Sequence, residues 1–248
     1  MNSLKQLQDC GQSIWLDYIR RDLITSGEFQ RLVEEDGVHG VTSNPTIFDK
    51  AIAAGTTYDD ALRLLLSADP DRDSLTLFEK LEVEDLQMAA DILRPVYDQT
   101  NGSDGFVSIE VSPRLAYDTA GSIAEAQRPL WASTGTKNPT FSDVLYVEEL
   151  IGPHTINTIP PATLNAFRDH GRVQPTLEAG EQDAEHALAR LAKLGIDLGA
   201  ITENLLADGI TAFTHSLDEL LSSLKEKRRV LLESQAARKD GIRSARVA

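Results

Sequence analysis

Five short apolar runs alternate with longer segments of helical period, and no other pattern in the chain limits its fold so narrowly. The apolar runs occupy residues 13–19, 38–44, 105–111, 129–134 and 155–159. Helical segments such as 74–99 separate them, and from about residue 180 onward the pattern is helical throughout. This alternation is typical of parallel βα units. The sequence therefore predicts an α/β fold with about five parallel strands, surrounding helices and a long C-terminal helix.

The composition limits the class of protein. The chain has 248 residues, of which 41% are hydrophobic and 25% charged, as in ordinary globular proteins. The 39 acidic residues against 24 basic ones give a net charge of −15, which repels phosphate backbones and argues against nucleic acid as a partner. No window reaches the roughly 18 apolar residues of a membrane helix, so we expect no membrane partner. Cys10 is the single cysteine, which fits a reducing cytoplasm.

Polar residues stand at the carboxyl side of each predicted strand, namely Asp17, Asn44, Glu110, Ser133 and Asn157. In parallel α/β folds, ligands bind at this edge of the sheet. A carboxyl group inside a strand is costly to bury without a partner or a wet cleft, so Asp17 and Glu110 are candidate acids or bases. The alternative is that both point outward or belong to structural ion pairs.

The loop Ser-Thr-Gly-Thr-Lys-Asn-Pro at 133–139 follows the fourth apolar run. It offers hydroxyl groups, backbone N–H groups freed by Gly135, and the cation of Lys137, which together can hold a phosphate. An ordinary polar loop is the alternative. The five histidines are scattered without an i, i+4 pair, so we expect no metal site.

Longer stretches resemble a known family. The segments WLDYIRR (15–21), GVTSNPTIF (40–48) and VSIEVSPRLA (107–116) are similar to the first three strands of transaldolases. The segments LWASTGTKNP (130–139) and DVLYVEEL (143–150) resemble the seventh strand and its helix in the longer bacterial branch of that family, and TINTIPPAT (155–163) resembles the eighth strand. These segments span most of the chain.

This resemblance implies a (β/α)8, TIM-type barrel and a transferase of carbohydrate metabolism in the pentose phosphate pathway. Such an enzyme moves a dihydroxyacetone unit between sugar phosphates without a cofactor, because a strand lysine forms a Schiff base with the ketose. By resemblance, Asp17 would handle protons at the substrate hydroxyls, and Glu110 would act through a water molecule in imine formation and hydrolysis. Asn44 would orient the substrate, and Ser133 and Lys137 would hold its distal phosphate.

The middle of the chain departs from the family pattern. The family's Schiff-base lysine lies in the fourth strand, in a run of the type Ile-Lys-Ile-Pro-Ala-Thr, and no such run occurs here. Past residues 126–127 the chain continues directly into the counterpart of the seventh strand, so we expect strands four to six to be deleted. The sequence thus predicts a transaldolase-like protein with impaired or absent catalysis. The alternative is a non-catalytic sugar-phosphate-binding or interaction module.

The number of strands limits the architecture. Five parallel strands cannot close the barrel that eight close. Strands seven, eight, one, two and three are neighbours in a complete barrel, so we expect an incomplete barrel with the counterparts of strands three and seven at its edges. Exposed edges pair readily with other chains, which favours self-association. We expect residues 1–234 to form one domain and 235–248 a disordered basic tail.

Overall fold

A curled half-barrel of five parallel strands forms the centre of the fold. The computed structural model describes residues 2–53, 55–108 and 130–245, and the side chains of 53 and 235–245 are not part of that description. The strands are β1 (Gln12–Leu16), β2 (Gly40–Thr42), β3 (Phe106–Ser108), β4 (Leu130–Trp131) and β5 (Thr155–Ile159). Their order across the sheet is β3-β2-β1-β5-β4, and each neighbouring pair is parallel.

This strand order confirms the predicted arc, in which the counterparts of the third and seventh family strands lie at the two edges. The register places Trp15 opposite Gly40 of β2 and Thr158 of β5. The proposed shortening near 126–127 lies outside the described residues, and so does the helical stretch expected at 119–127.

Helices surround the sheet on its outer side. They are α1 (Ser3–Asp9), α2 (Arg21–Thr25), α3 (Glu28–Arg31, continued by a π-helix over Leu32–Asp36), α4 (Pro45–Ala53), α5 (Asp59–Ala68), α6 (Ser74–Gln99), α7 (Leu145–Glu149), α8 (Pro161–His170), α9 (Glu181–Lys193) and α10 (Leu198–Ala245). The bounds predicted for α6 and β5 are confirmed to the residue. The last helix continues to Ala245, and the division into one domain and a basic tail stays a prediction.

The main core lies between the sheet and these helices. Ile14, Leu16, Val41 and Ile159 occupy alternate strand positions on the outer face and are at most 1% exposed. Burying one such side chain stabilises the fold by about 1.5–3 kcal/mol. The C-terminal helix α10 packs against α4, α5 and α6, through leucines that include the fully buried Leu220 and Leu224. The stretch of α10 from Leu217 to Leu231 is therefore part of the body of the protein.

The inner face of the sheet accommodates a large ring beside a glycine. Trp15 lies against Gly40, where a Cβ atom would come within 2.4 Å of the indole. The indole Nε1 donates to Ser13 Oγ at 3.0 Å and to Asp104 Oδ1 at 3.2 Å. Any larger residue at position 40 would push the indole out of this position.

None of the helices in the described part of the chain combines the length and apolar character that a membrane span requires.

Candidate active site at the carboxyl ends of the strands

A cavity of about 550 Å³ opens at the carboxyl ends of the parallel strands. Asp17 follows β1, Asn44 follows β2, and Ser133 and Lys137 come from the loop after β4, and all four line the cavity. Four of the five site residues predicted from the sequence therefore share one cavity. The fifth, Glu110, lies outside the described residues.

Hydrogen bonds orient the carboxylate of Asp17. Its Oδ1 accepts from Thr42 Oγ1 at 3.1 Å, and its Oδ2 accepts from Ser133 Oγ at 2.6 Å. Thr158 Oγ1 lies 2.9 Å from Thr42 Oγ1, which extends the chain of hydroxyl groups into β5. The backbone N–H of Asp17 donates to Ile159 O at 2.9 Å. Three strands and the β4 loop thus hold this carboxylate at the cavity wall.

Asn44 caps the helix that begins beside the cavity. Its Oδ1 accepts from the backbone N–H of Ile47 at 3.0 Å, and Pro45 occupies the first helical position, where its missing N–H costs nothing. This bond settles the orientation of the amide, because an NH2 group cannot accept from an N–H. The Nδ2 group of Asn44 has no partner in the described part of the chain. As far as the described residues are concerned, this group is left to donate to a ligand.

The loop after β4 combines a strained residue with a cation. Ser133 has φ of 52°, a left-handed conformation that costs a residue with a Cβ on the order of 1–3 kcal/mol. The strained backbone brings the Ser133 hydroxyl to Asp17, so this hydroxyl is engaged rather than free for a phosphate. Lys137 is exposed at the cavity rim, where its ammonium group can meet an anion. The loop therefore contributes the Ser133 hydroxyl, which is bonded to Asp17, and the exposed ammonium group of Lys137.

Asn157, another strand residue singled out by the sequence, does not line the cavity. It is fully buried in the middle of β5, where its Oδ1 accepts from Thr134 Oγ1 at 2.7 Å. Its Nδ2 has no hydrogen-bond partner in the described part of the chain. Asn157 thus supports the β4 loop from beneath and has no access to a ligand in the cavity.

Sequence reasoning missed several residues that line the cavity. Thr46, Ile47 and Lys50 project into it from α4, and Phe213 reaches it from α10. The spacing of 46 and 50, one helical turn apart directly after Asn44, is a signal that could have found Lys50. Phe213 has no such signal, because only tertiary packing brings it to the β2 loop. Lys50 is exposed and, like Lys137, is one of the residues that line the cavity.

A buried carboxyl group lies behind the β2 loop. Glu82 of α6 is only 7% exposed, and burial raises its pKa to about 7. Its hydrogen-bonding neighbour is Ser43 Oγ at 3.5 Å, and that hydroxyl also donates to Ser108 O at 3.2 Å. Ser43 directly precedes Asn44. Glu82 of α6 therefore contacts the residue that directly precedes Asn44 in the β2 loop.

An ion-pair cluster anchors the start of α2, four residues after Asp17. Arg21 Nε donates to Asp85 Oδ1 at 2.7 Å, and Arg21 Nη2 donates to Glu84 at 2.7 Å. Tyr58 OH donates to Asp85 Oδ2 at 2.6 Å and accepts from the backbone N–H of Arg21 at 3.2 Å. Burial raises the pKa of the Asp85 carboxyl, and Arg21 opposes that effect. The cluster therefore attaches the loop that contains Asp17 to the helices α5 and α6.

No group of three or more His, Cys, Asp or Glu residues in the described ranges could hold a metal ion. The described residues instead contribute one carboxylate, one amide, hydroxyl groups and two lysines to the site. Parallel α/β barrels carry their ligand sites at this same edge. Fold and site together define a protein of the α/β-barrel class with a polar cavity at the carboxyl ends of its strands.

Comparison with known sequences identifies the family within that class. The chain belongs to the transaldolase/fructose-6-phosphate aldolase family, whose model matches residues 14–132 and 127–224. The chain is 29% identical over 360 aligned positions to the transaldolase of Thiobacillus denitrificans (strain ATCC 25259 / T1), covering 90% of this chain and 100% of that protein. It is 28% identical over 378 positions to transaldolase 2 of Nostoc sp. (strain PCC 7120), covering 93% and 99%. It is also 29% identical over 361 positions to the transaldolase of Parafrankia sp. (strain EAN1pec), covering 90% and 97%.

Proposed function

We propose that this chain binds sugar phosphates as a transaldolase-like protein whose dihydroxyacetone transfer is impaired or lost. The observation that carries the binding proposal is the convergence of Asp17, Asn44, Ser133 and Lys137 on one cavity at the carboxyl ends of the strands. Family membership supplies the class of ligand and of reaction.

Each residue has a role that its position supports. Lys137, at the rim, would meet the distal phosphate, because an ammonium group attracts a phosphate dianion. The Nδ2 group of Asn44 would donate to a hydroxyl or carbonyl oxygen of the sugar. Asp17, held by Thr42 and Ser133, would accept from a substrate hydroxyl and exchange its proton. Glu110 would act through a water molecule, as in the expectation from the family resemblance.

The positions of the lysines support impaired catalysis. None of the five described strands contains a lysine, and residues 109–129 have none in the sequence. Lys50 and Lys137 line the cavity, yet both are exposed. An imine-forming lysine needs an apolar pocket or a neighbouring cation that keeps part of its amine neutral. We infer that no lysine here takes over the Schiff-base step efficiently.

The alignments support a deletion in the middle of the chain. The alignment with the Thiobacillus protein has 360 positions, whereas the chain has 248 residues, so at least 112 positions (360 less 248) hold no residue of this chain. The family model matches in two segments that meet at 127–132. Both observations fit the loss of strands four to six near 126–127.

A binding measurement combined with a transfer assay tests the proposed function. We expect calorimetry to detect fructose 6-phosphate binding that weakens about tenfold in Lys137→Met, because one charge-assisted contact contributes about 1.5 kcal/mol. Lys193→Met, a matched change of an exposed lysine on the remote helix α9, should leave binding unchanged. Absence of binding would refute the binding proposal, and transfer of the three-carbon unit as fast as in the Thiobacillus relative would refute impaired catalysis.

The second candidate function is a non-catalytic interaction module. The edge strands β3 and β4 favour it, because an edge strand can pair with a second chain. Self-association through these edges, a cytoplasmic location and the single-domain division at residue 234 remain proposals from the sequence.

A further inference from the structure

The helix α9 (Glu181–Lys193) carries an apolar stripe that the described part of the chain leaves unburied. None of its residues is buried. Ala184, Ala187, Leu188 and Leu191 recur at the i, i+3, i+4, i+7 spacing that places them on one face of a helix. Leu188 is 50% exposed. An amphipathic helix of this kind gains stability only by burying its apolar face, so α9 lacks the partner that its sequence requires.

The apolar surface continues beyond the end of α9. Leu194 in the turn is 76% exposed, and Leu198 and Leu205 at the start of α10 are 46% and 63% exposed. A groove of about 400 Å³ lies at this turn, between Leu188 and Leu191 on one side and Ile196 and Leu198 on the other. Soluble monomers rarely expose an apolar patch of this extent, and such patches mark interaction sites.

The distribution of size and charge along α9 is complementary to itself in the antiparallel direction. Asp183 and Arg190 lie seven residues apart, and so on the same flank of the apolar stripe. If a second α9 lies antiparallel, Asp183 of each copy faces Arg190 of the other, which forms two equivalent ion pairs. A register about one residue from this one brings the small Ala184 and Ala187 of one copy near the large Leu191 and Leu188 of the other while Asp183 and Arg190 stay within reach of each other. A two-fold axis makes both halves of this contact identical, as an isologous interface requires.

We propose that a second copy of this chain docks on α9, with the two α9 helices antiparallel and the leucines of each copy seated on the groove at the other's helix end. This dimer surface is distinct from the strand edges and does not depend on the proposed sugar-phosphate site. The groove at this surface shares no lining residue with the cavity at the carboxyl ends of the strands.

Sedimentation equilibrium of the full chain tests the proposal. We expect the wild-type chain to form a dimer and Leu188→Glu to be monomeric, because the charge would lie in the centre of the apolar stripe. Lys193→Glu is the matched control, since residue 193 lies on the side of the helix opposite the stripe, and it should remain dimeric. Circular dichroism should show an unchanged fold in both variants, because α9 contributes no buried side chain to the body of the protein.

Charge reversal identifies the register. Asp183→Arg and Arg190→Asp should each raise the dimer dissociation constant about tenfold, because both ion pairs become repulsive. An equimolar mixture of the two variants should restore a heterodimer of wild-type affinity, because opposite charges then face each other at both ends. A wild-type monomer would overturn the proposal, and so would a dimer that tolerates Leu188→Glu, which would place the interface elsewhere.

Discussion

Asn44 performs two tasks with the two ends of one amide. Its Oδ1 caps α4 through the Ile47 N–H, while its Nδ2 faces the cavity without a partner in the described ranges. The structural task and the proposed binding task therefore belong to different atoms. Substitutions that change one end of the amide at a time can separate them.

At residue scale we predict that Asn44→Asp retains the helix cap but loses ligand binding. Aspartate caps helices about as well as asparagine, whereas alanine at this position costs about 1 kcal/mol of stability. Urea unfolding should thus show wild-type stability for Asn44→Asp and the loss for Asn44→Ala, and calorimetry should show weakened fructose 6-phosphate binding for both. If Asn44→Asp bound the sugar phosphate normally, the amide would have no part in the site.

The helix α6 carries two acidic side chains on its buried face. Glu82 and Asp85 continue the spacing of Phe78 and Ala89, so both point toward the sheet rather than toward water. Asp85 has Arg21 and Tyr58 as partners, whereas Glu82 has the Ser43 hydroxyl. Burial raises the pKa of both carboxyl groups, and this effect is opposed by Tyr58 and Arg21 at Asp85 and by the Ser43 hydroxyl at Glu82.

At element scale we predict that Glu82 makes stability depend on pH. Burial raises its pKa from 4.5 to about 7, so the folded state binds more protons than the unfolded state in this range. The contribution of Glu82 to the free energy of unfolding is fully present below pH 4.5. It decreases as the pH rises through 7, and the total loss is about 3 kcal/mol. The difference in unfolding free energy between Glu82→Gln and the wild type should therefore grow in favour of Glu82→Gln from pH 5 to pH 8.

Asp91→Asn provides the control for this measurement. Asp91 is exposed on the same helix, more than two turns after Glu82, so its substitution should leave the pH dependence unchanged. A wild-type pH dependence in Glu82→Gln would show that other groups cause it.

At the scale of the whole molecule, the sequence predicted the fold better than the site. Asp73 caps the start of α6, because its side chain accepts from Thr76 N–H, and Pro160 directly follows the last residue of β5. Both residues are visible in the sequence, so these ends of α6 and β5 could be predicted. The strands β3 and β4 are described at 106–108 and 130–131, and residues 109–111 and 129 of their apolar runs lie outside the described residues.

The site was predictable only where its residues follow strands. Asp17, Asn44 and Ser133 follow β1, β2 and β4, and parallel strands bring such positions to a common edge. Phe213 comes from a helix far along the chain, and the burial of Glu82 depends on how α6 packs against the sheet. Such placements result from tertiary contacts that local patterns do not encode.

We propose that this chain retains a sugar-phosphate cavity without the amine that forms the Schiff base of its family. Borohydride reduction in the presence of fructose 6-phosphate, followed by peptide mass spectrometry, tests it most directly, because hydride reduction converts an imine into a stable secondary amine. The Thiobacillus relative, treated in parallel, serves as the positive control. We predict no adduct on any of the eight lysines, whereas a stable adduct on Lys50, Lys137 or any other lysine would contradict the account.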